Sequence, residues 1–323
     1  VEGVETQMVG RDAELRRLQA SLSETIVDGT ARSVTVVGDA GVGKSRLLYE
    51  FEDWLRLQPT EVRLLKARAD QQHSGDPHFV IRDLLFSRFG IAEDDHGTIA
   101  RAKLTAGLRE LAPSTGSRET GLIENLVGIE TGSSPEGATA DASALREQMR
   151  TALATFLSRA ADVMPVVVLL EDLHWADPSS LEMIDSLPIR SADSSLFILQ
   201  LTRPILFESG SLPAPPTSSR IDLAPLGEAA TRELVEEVLQ NVTDVPTVVA
   251  DELSALADGN PFFVEELIKV MIDDKTIVVD GDEWTLDLDR LDRNRPPSTI
   301  TGVLQARLDH LSQAERAVLH KAA

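Results

Sequence analysis

The eight residues GDAGVGKS, at positions 38–45, combine three glycines with an adjacent lysine and serine in the spacing of a phosphate-binding P-loop. Glycines allow the backbone to turn and to approach phosphates without a Cβ in the way, and the loop amides then point at the anion. A lysine in this place reaches the β and γ phosphates, and the hydroxyl binds magnesium. The segment therefore predicts binding of a nucleoside triphosphate, namely ATP with Mg²⁺.

Two residues of the loop have further predicted roles. We expect Lys44 to contribute to catalysis as well as binding, and Ser45 to be a magnesium ligand. A glycine-rich turn with a chance lysine is the competing interpretation, and the strand pattern before the loop and the helix pattern after it argue against it. The predicted nucleotide-binding residues of this segment are Gly38, Asp39, Ala40, Gly41, Val42, Gly43, Lys44, Ser45 and Arg46.

An acidic pair, Glu171 and Asp172, follows the apolar run VVVLL. A buried strand would deliver both carboxylates to its carboxyl end, where ligands bind in open α/β sheets. We assign Glu171 to magnesium and Asp172 to the base that orients the attacking water. The alternative is the solvated start of a loop, which the intact P-loop makes the weaker interpretation.

A hydroxyl and a guanidinium, Thr202 and Arg203, end another apolar run. Placed there, they could sense the γ phosphate or stabilise transition-state charge, and we predict both as catalytic. Arg203 could equally pair with a surface carboxylate. His174 and Trp175 either flank the nucleotide or pack under the next helix, whereas Asp177 before Pro178 is typical of a helix N-cap.

Composition limits the classes of function. The 323 residues carry a formal charge of −22, which argues against nonspecific binding to nucleic acid phosphates. No cysteine is present, so thiolate zinc sites and cysteine nucleophiles are excluded. No apolar run approaches the length of a membrane span, and we predict a cytoplasmic protein with no membrane partner. Neither end has a start or stop signal of its own, which predicts a piece of a longer protein.

The pattern along the chain predicts an α/β protein. Helices are expected from Asp12, over 44–57, within 71–90 and, with interruptions, over 91–150. Strands alternate with these helices, which indicates a P-loop NTPase core with a five-stranded parallel sheet. The five predicted strands are Val34 to Val37, Glu61 to Ala69, Val166 to Leu170, a run ending at Thr202, and Ile221 to Leu223.

The remainder of the chain is predicted to be mainly helical. It includes a hairpin that turns at Asp280 and Gly281, and a capping box of Ser312 and Glu315. We predict three parts: an α/β core over 1–226 with a helical insertion at about 71–150, a mainly helical segment with the hairpin over 227–296, and a final segment over 297–323.

Five segments together resemble a known family. They are MVGRDAEL, GDAGVGKSRLL, LLEDLHWADPSSLEMI, LTRP and GNPFFVEEL. The chain resembles the signalling ATPases of the STAND branch of AAA-like P-loop proteins from Met8 to the end, with the weakest likeness over 91–150. More narrowly, it is similar to the ATPase module of large bacterial class III adenylate or guanylate cyclases and of large LuxR-type transcription regulators.

The resemblance implies that 227–296 form a helical lid and that 297–323 begin a truncated winged-helix domain, and it also implies further site residues. Val9, Gly10 and Arg11 match the segment that lies against adenine, and the turn 259–261 places Pro261 near adenine in the family. Thr202 and Arg203 match its sensor. The acidic pair departs from the two aspartates, or aspartate and glutamate, of many relatives, which leaves the hydrolysis rate and the division of roles open.

Three functions remain possible at this point. The leading hypothesis is a regulatory ATPase switch that binds ATP or ADP with Mg²⁺ between core and lid and signals to a covalently linked output domain outside this chain. The second is a nonhydrolysing nucleotide-dependent interaction module. A small-molecule kinase would need an acceptor motif, and none is recognisable. Cyclase chemistry would belong to another domain, and the oligomeric state, homo-oligomers included, is open.

Overall fold

The computed structural model describes residues 6–129, 142–208, 218–242, 245–280, 283–293, 297 and 299–310. The predicted turn residue Gly281, the capping box of Ser312 and Glu315, and most of the glycine- and serine-rich stretch after Gly128 lie outside these ranges. The chain divides into two compact units. The sheet unit consists of 14–38 and 51–222, and the loop unit consists of 1–13, 39–50 and 223–323.

A five-stranded parallel sheet organises the sheet unit, as predicted. The strand order is β2-β3-β4-β1-β5. Each strand overlaps the segment predicted from the sequence. Their bounds are β1 (Arg32–Gly38), β2 (Arg63–Arg68), β3 (Val166–Glu171), β4 (Leu196–Thr202) and β5 (Ser218–Leu223).

Strands β3 and β4 are buried along their length. Residues 166–170 and 196–202 are all buried, which explains why both read as continuous apolar runs rather than alternating ones. Glu171 is the first residue of β3 to emerge from the core. Because the strands are parallel, the ends of β1, β3 and β4 lie at one edge of the sheet, and the register pairs Val37 with Thr202 there.

Helices cover the sheet. The first predicted helix begins at Asp12 as expected, and it buries Leu18, Leu22 and Thr25. The helix predicted within 71–90 begins only at Phe79, after a His78 in a left-handed conformation. The helices are α1 (Asp12–Asp28), α2 (Lys44–Arg56), α3 (Phe79–Phe89), α4 (Gly97–Leu111), α5 (Ser117–Leu126), α6 (Ala142–Val163), α7 (Pro178–Arg190) and α8 (Ile205–Glu208).

The loop unit is mainly helical. Its elements are α9 (Glu228–Val238), α10 (Thr247–Ala257), α11 (Pro261–Asp273), β6 (Ile277–Asp280), β7 (Glu283–Leu286), α12 (Leu288–Arg293) and α13 (Ile300–His310). The strands of the predicted hairpin pair antiparallel, with Val278 opposite Thr285. A core of its own, including Val9, Val235 and Leu267, holds the unit together. In neither unit does a described helix have the length and apolar character needed to cross a membrane.

Candidate functional site

The P-loop has the local structure that its sequence predicts. It follows β1 directly, and α2 begins at Lys44. Gly41 and Gly43 adopt φ values of 82° and 101°, which residues with a Cβ rarely adopt. Ser45, in the first turn of α2, is exposed. The loop therefore presents the start of a helix, together with a lysine and an accessible hydroxyl, as an anion site requires.

Local donors hold the first and last carbonyls of the loop. The Lys44 ammonium group donates to the Asp39 carbonyl over 2.8 Å. The Leu47 amide donates to the Gly43 carbonyl over 3.0 Å as the first turn of α2 closes. Lys44 thus folds back over its own loop in this structure, and its ammonium group lies beside the segment where phosphates are predicted.

The turn before α11 holds the next two carbonyls. The Asn260 side-chain amide donates to the Ala40 carbonyl over 3.3 Å, and the Phe262 amide donates to the Gly41 carbonyl over 3.2 Å. Asn260 also caps α11, since its oxygen accepts from the Phe263 amide over 3.3 Å. Residues more than 200 positions apart in the chain therefore meet at the phosphate loop.

Arg11 holds the remaining carbonyl. Its guanidinium donates to the Val42 carbonyl over 3.0 Å and to the Ala224 carbonyl over 2.6 Å, and the side chain is buried. Arg11 therefore ties the loop to the start of the helical segment. This contact was not part of the prediction, which placed Arg11 beside adenine; that role stays a prediction.

These bonds fix the direction of the loop peptides. Every carbonyl from Asp39 to Gly43 accepts a hydrogen bond, two of them from the neighbouring Lys44 and Leu47 and three from residues distant in the chain. In a trans peptide the N–H points opposite to the C=O, so the amides of residues 40–44 are directed away from these donors. Five amides turned away from the protein's own donors fit a nucleotide phosphate chain, which accepts hydrogen bonds and carries negative charge.

Two segments implied by the family resemblance lie in the same unit as the loop. Val9 belongs to the unit's core, and Gly10 has a φ of 67° with its Cβ position only 2.9 Å from the Ala230 Cβ. Pro261 is the first residue of α11, and its Cγ lies 4.0 Å from the Cβ position of Gly43. The structure therefore brings the loop, the 9–11 segment and the 259–261 turn together.

Arg46 points elsewhere. Its guanidinium bonds to the carbonyl of Thr6 and pairs with Glu50 at 2.6 Å, and it also lies over the ring of Tyr49. These partners anchor the chain that leads into the 9–11 segment. The predicted contact between Arg46 and nucleotide stays a prediction, and the structure shows only an anchoring contact.

The acidic pair lies at the carboxyl edge of the sheet, in the sheet unit. Burial, together with the neighbouring Asp172 carboxylate, raises the pKa of Glu171 above its ordinary value, and Arg68 opposes the shift. Asp172 has a left-handed φ of 54°, one of four non-glycine residues with positive φ in the described chain. Such backbone strain, of the order of 1 kcal/mol or more, is concentrated at functional sites.

Arg68 pairs with Asp172. The guanidinium Nε and a terminal nitrogen lie 2.9 and 2.8 Å from one carboxylate oxygen, and the Arg68 side chain is 70% exposed. Arg68 is not among the site residues predicted from the sequence. It ends β2, and the register places it opposite Glu171, so an arginine at the end of the second strand was the available signal.

The two predicted sensor residues lie at the end of β4. Thr202 is fully buried, and its hydroxyl contacts the Arg203 carbonyl at 3.4 Å. Within the described part of the chain, Arg203 forms no ion pair, so the predicted alternative of a surface carboxylate partner is not seen there.

The residues after the acidic pair serve packing. Asp177 is buried and caps α7 by accepting from the Ser180 amide over 2.9 Å, and it also accepts from the His78 amide over 3.0 Å. Trp175 packs against the main core of the sheet unit, with its ring 5.0 Å from that of His174. The N-cap prediction for Asp177 is confirmed, and packing is the alternative that the structure favours for Trp175.

Comparison with known proteins agrees with this geometry. The family model of the AAA ATPase domain matches residues 7–199, and a domain family of unknown function, DUF8739, matches 227–284. An uncharacterised protein of Rhizobium meliloti (strain 1021) is 26% identical over 319 residues, which are 95% of this chain and 28% of that protein. The chain thus spans less than a third of the length of that relative.

A solved structure shares the fold. It is a chain from the structure of Drosophila ORC bound to DNA, with a TM-score of 0.53 and 12% sequence identity, covering 98% of this chain and 64% of that one. At this identity the likeness concerns the fold alone. The AAA ATPase model, in contrast, matches more than half of the chain and includes the P-loop and the acidic pair. This protein therefore belongs to the family of AAA ATPase domains.

Proposed function

We propose that this domain binds ATP or ADP with Mg²⁺ and acts as a slow regulatory ATPase, a conformational switch within a larger signalling protein. The observation that carries the proposal is the set of five loop carbonyls, each held by the protein, with the amides of the same peptides directed away from those donors. A loop built only for a turn has no need of donors recruited from Arg11 and Asn260.

The residues divide the work as follows. The loop amides and Lys44 bind the phosphates. The part of the site that holds the adenine base is lined by Val9, Gly10, Arg11 and Pro261. Magnesium, held by Ser45 and Glu171, would neutralise charge on the phosphate oxygens. The remaining roles concern hydrolysis: Asp172 orients and deprotonates the attacking water, and Thr202 and Arg203 stabilise charge at the γ phosphate.

A second candidate function is a nonhydrolysing module, in which bound nucleotide holds the fold in one state. The pair between Arg68 and Asp172 favours it, because a carboxylate engaged by a guanidinium has fewer lone pairs for water. The Arg68 side chain is 70% exposed, however, and pairs that are open to solvent contribute about 1 kcal/mol or less. A bound substrate can therefore release Asp172, and we retain slow hydrolysis as the leading proposal.

Phosphate release in the presence and absence of Mg²⁺ tests the proposal. We expect slow Mg²⁺-dependent turnover by the wild type. Lys44→Ala should lose nucleotide binding, whereas Asp172→Asn should bind ATP normally and lose turnover at least a hundredfold, the order found when a positioned base is removed. Tight binding without turnover in the wild type would establish the second candidate, and turnover unchanged by Asp172→Asn would remove the assigned base.

The output of the switch lies in the parent protein. We propose a class III adenylate or guanylate cyclase as that parent, with a LuxR-type regulator as the alternative, on the strength of the LHWAD and GNPFFVEEL segments. In a full-length parent, Lys44→Ala should change cyclic nucleotide production without touching the cyclase domain. The charge of −22 predicts no nonspecific DNA binding, which fluorescence anisotropy with a duplex at low and moderate salt would test.

A further inference from the structure

Asn260 uses both ends of its side-chain amide. The oxygen accepts from the Phe263 amide, and the nitrogen donates to the Ala40 carbonyl, each over 3.3 Å. A rotation of the amide by 180° would oppose two acceptors on one side and two donors on the other, so the bonding partners determine the orientation. One side chain therefore caps α11 and holds the phosphate loop.

The first free amide of α11 also goes to the loop. Pro261, at the first helical position, has no N–H, so Phe262 supplies the first unsatisfied donor of the helix. That donor bonds to the Gly41 carbonyl over 3.2 Å. The phosphate loop thus provides a backbone acceptor that the start of α11 needs.

The contact between the P-loop and the start of α11 leaves no space for a side chain at position 41. A Cβ on Gly41 would lie 2.5 Å from the Asn260 oxygen and 2.9 Å from the Phe262 Cβ. The loop carbonyls of Ala40 and Gly41 cannot rotate toward α11 or away from it without breaking a hydrogen bond or opening a gap. The conformation of the loop and the position of the first turn of α11 are therefore one linked arrangement.

We propose that Asn260 is a positioning residue that couples nucleotide occupancy of the P-loop to the stability of α11. The proposal rests on the proposed function, since it needs phosphate at the loop. Phosphates that bind the amides of residues 40–44 fix the peptide planes, and therefore fix the carbonyls that Asn260 and Phe262 hold. By thermodynamic linkage, a nucleotide that stabilises α11 must lose affinity by the same factor when the link is removed.

Serine at position 260 separates the two tasks of the side chain. Serine is a good N-cap, so Asn260→Ser keeps the cap of α11, but its hydroxyl is too short to replace the amide at Ala40. We expect the affinity for ADP and ATP with Mg²⁺, measured by titration calorimetry, to fall about fivefold, the usual effect of one neutral hydrogen bond. Asn260→Asp, which keeps the cap but opposes the Ala40 carbonyl with a second acceptor, should lose at least as much.

Hydrogen exchange of the α11 amides distinguishes coupling from a purely structural role of Asn260, because a structural role alone would not make the protection depend on nucleotide. In the wild type, saturating ADP should increase the protection of residues 264–271, and in Asn260→Ser this increase should be lost. The control is Asp287→Ser, which replaces the cap of α12, where Asp287 accepts from the Arg290 amide over 3.0 Å. It should leave both affinity and the protection of α11 unchanged.

The outcomes separate this inference from the proposed function. If the wild type binds neither ADP nor ATP, or if Lys44→Ala binds equally well, the proposed function fails and the coupling fails with it. If the wild type binds nucleotide but Asn260→Ser binds with equal affinity and retains the ADP-dependent protection of α11, only the coupling is overturned. A fall in thermal stability of Asn260→Ser that is the same with and without ADP also overturns it, since the contribution of Asn260 would then be independent of nucleotide.

Discussion

The P-loop and the acidic edge of the sheet, which carries Glu171 and Asp172, are positioned by different forces. The loop is held through five backbone carbonyls, which accept from two backbone amides, from the Asn260 side-chain amide and from the cationic groups of Lys44 and Arg11. The acidic edge is held by a charge pair between Arg68 and Asp172 and by the burial of Glu171. We expect the loop to be insensitive to pH near neutrality, whereas the acidic edge should respond to it.

The difference also affects tolerance to mutation. Backbone acceptors are the same whatever the side chain, so the loop depends on shape: glycines at positive φ and close approach by Asn260. The acidic edge depends on charge, and an exposed ion pair costs little to remove. Substitutions that add volume should damage the first region, and substitutions that change charge should tune the second.

Among the variants that leave Lys44 and Asp172 in place, the largest effect is expected from adding a methyl group to the loop. Gly41→Ala requires a residue with a Cβ to adopt a φ of 82° and to fit 2.5 Å from the Asn260 oxygen. ATP affinity should fall at least tenfold, which corresponds to about 1.4 kcal/mol. Titration calorimetry would measure it. Gly75→Ala is the matched control, since no atom lies within 4 Å of its Cβ position and it should bind normally; equal affinity in both variants would contradict the shape argument.

A half-buried carboxylate in the sheet unit should give the next largest effect, on stability. Burial raises the pKa of Asp185, in α7, to about 6, and one of its carboxylate oxygens has no partner within the described chain. Because the folded-state pKa lies above the unfolded value, the protonated form favours folding at low pH, and this contribution is lost as pH rises through about 6. At pH 8 the wild type therefore carries the full cost of an ionised buried group.

Asp185→Asn removes that cost. The variant should be more stable at pH 8 by about 1 to 2 kcal/mol, after allowance for solvent screening of a partly buried group, and the gain should shrink as the pH falls toward 4. Urea unfolding at several pH values would measure it. Asp193→Asn, on an exposed residue, is the control and should show no such trend. A gain that is independent of pH would point to packing instead of charge.

Removal of the charge pair between Arg68 and Asp172 should have a smaller effect, and it should raise activity instead of lowering it. Arg68→Ala frees the Asp172 carboxylate, and if Asp172 is the base, turnover should rise about threefold, within the range of an exposed ion pair, while ATP affinity stays the same. Steady-state phosphate release would show it. Arg88→Ala, which breaks the exposed pair with Glu110, is the control. A fall in turnover would assign Arg68 itself to transition-state charge.

The smallest effect is expected on the pH dependence of activity. Burial raises the pKa of Glu171, so an activity that needs this carboxylate ionised should be lost on acidification at a higher pH than an ordinary glutamate would allow. Arg68 opposes that shift, so in Arg68→Ala the acid limb of kcat/KM should move to still higher pH. A limb that moved to lower pH in the variant would show that another group controls it.

Much of the fold and of the candidate site could be predicted from the sequence, because the patterns that indicate them lie within short segments of the chain. The alternation of buried apolar runs with helical segments predicts the parallel sheet, since a strand buried on both faces is apolar throughout. The pair of Asp177 and Pro178 predicts the start of α7, because capping involves residues within one turn. The late start of α3 was not predicted, since it follows a left-handed His78 that no propensity rule indicates.

The P-loop motif, the acidic pair after a buried run and the sensor position are properties of the sequence by itself, because each depends on neighbours a few residues away. The donors that hold the loop are a tertiary property. Ala40 and Asn260 are 220 positions apart, and Val42 and Arg11 meet only when the chain before α1 folds onto the loop. The pairing of Arg68 with Asp172 likewise requires β2 to lie beside β3. The sequence determined which groups could bind phosphate; folding decided which direction their amides face and which charges they meet.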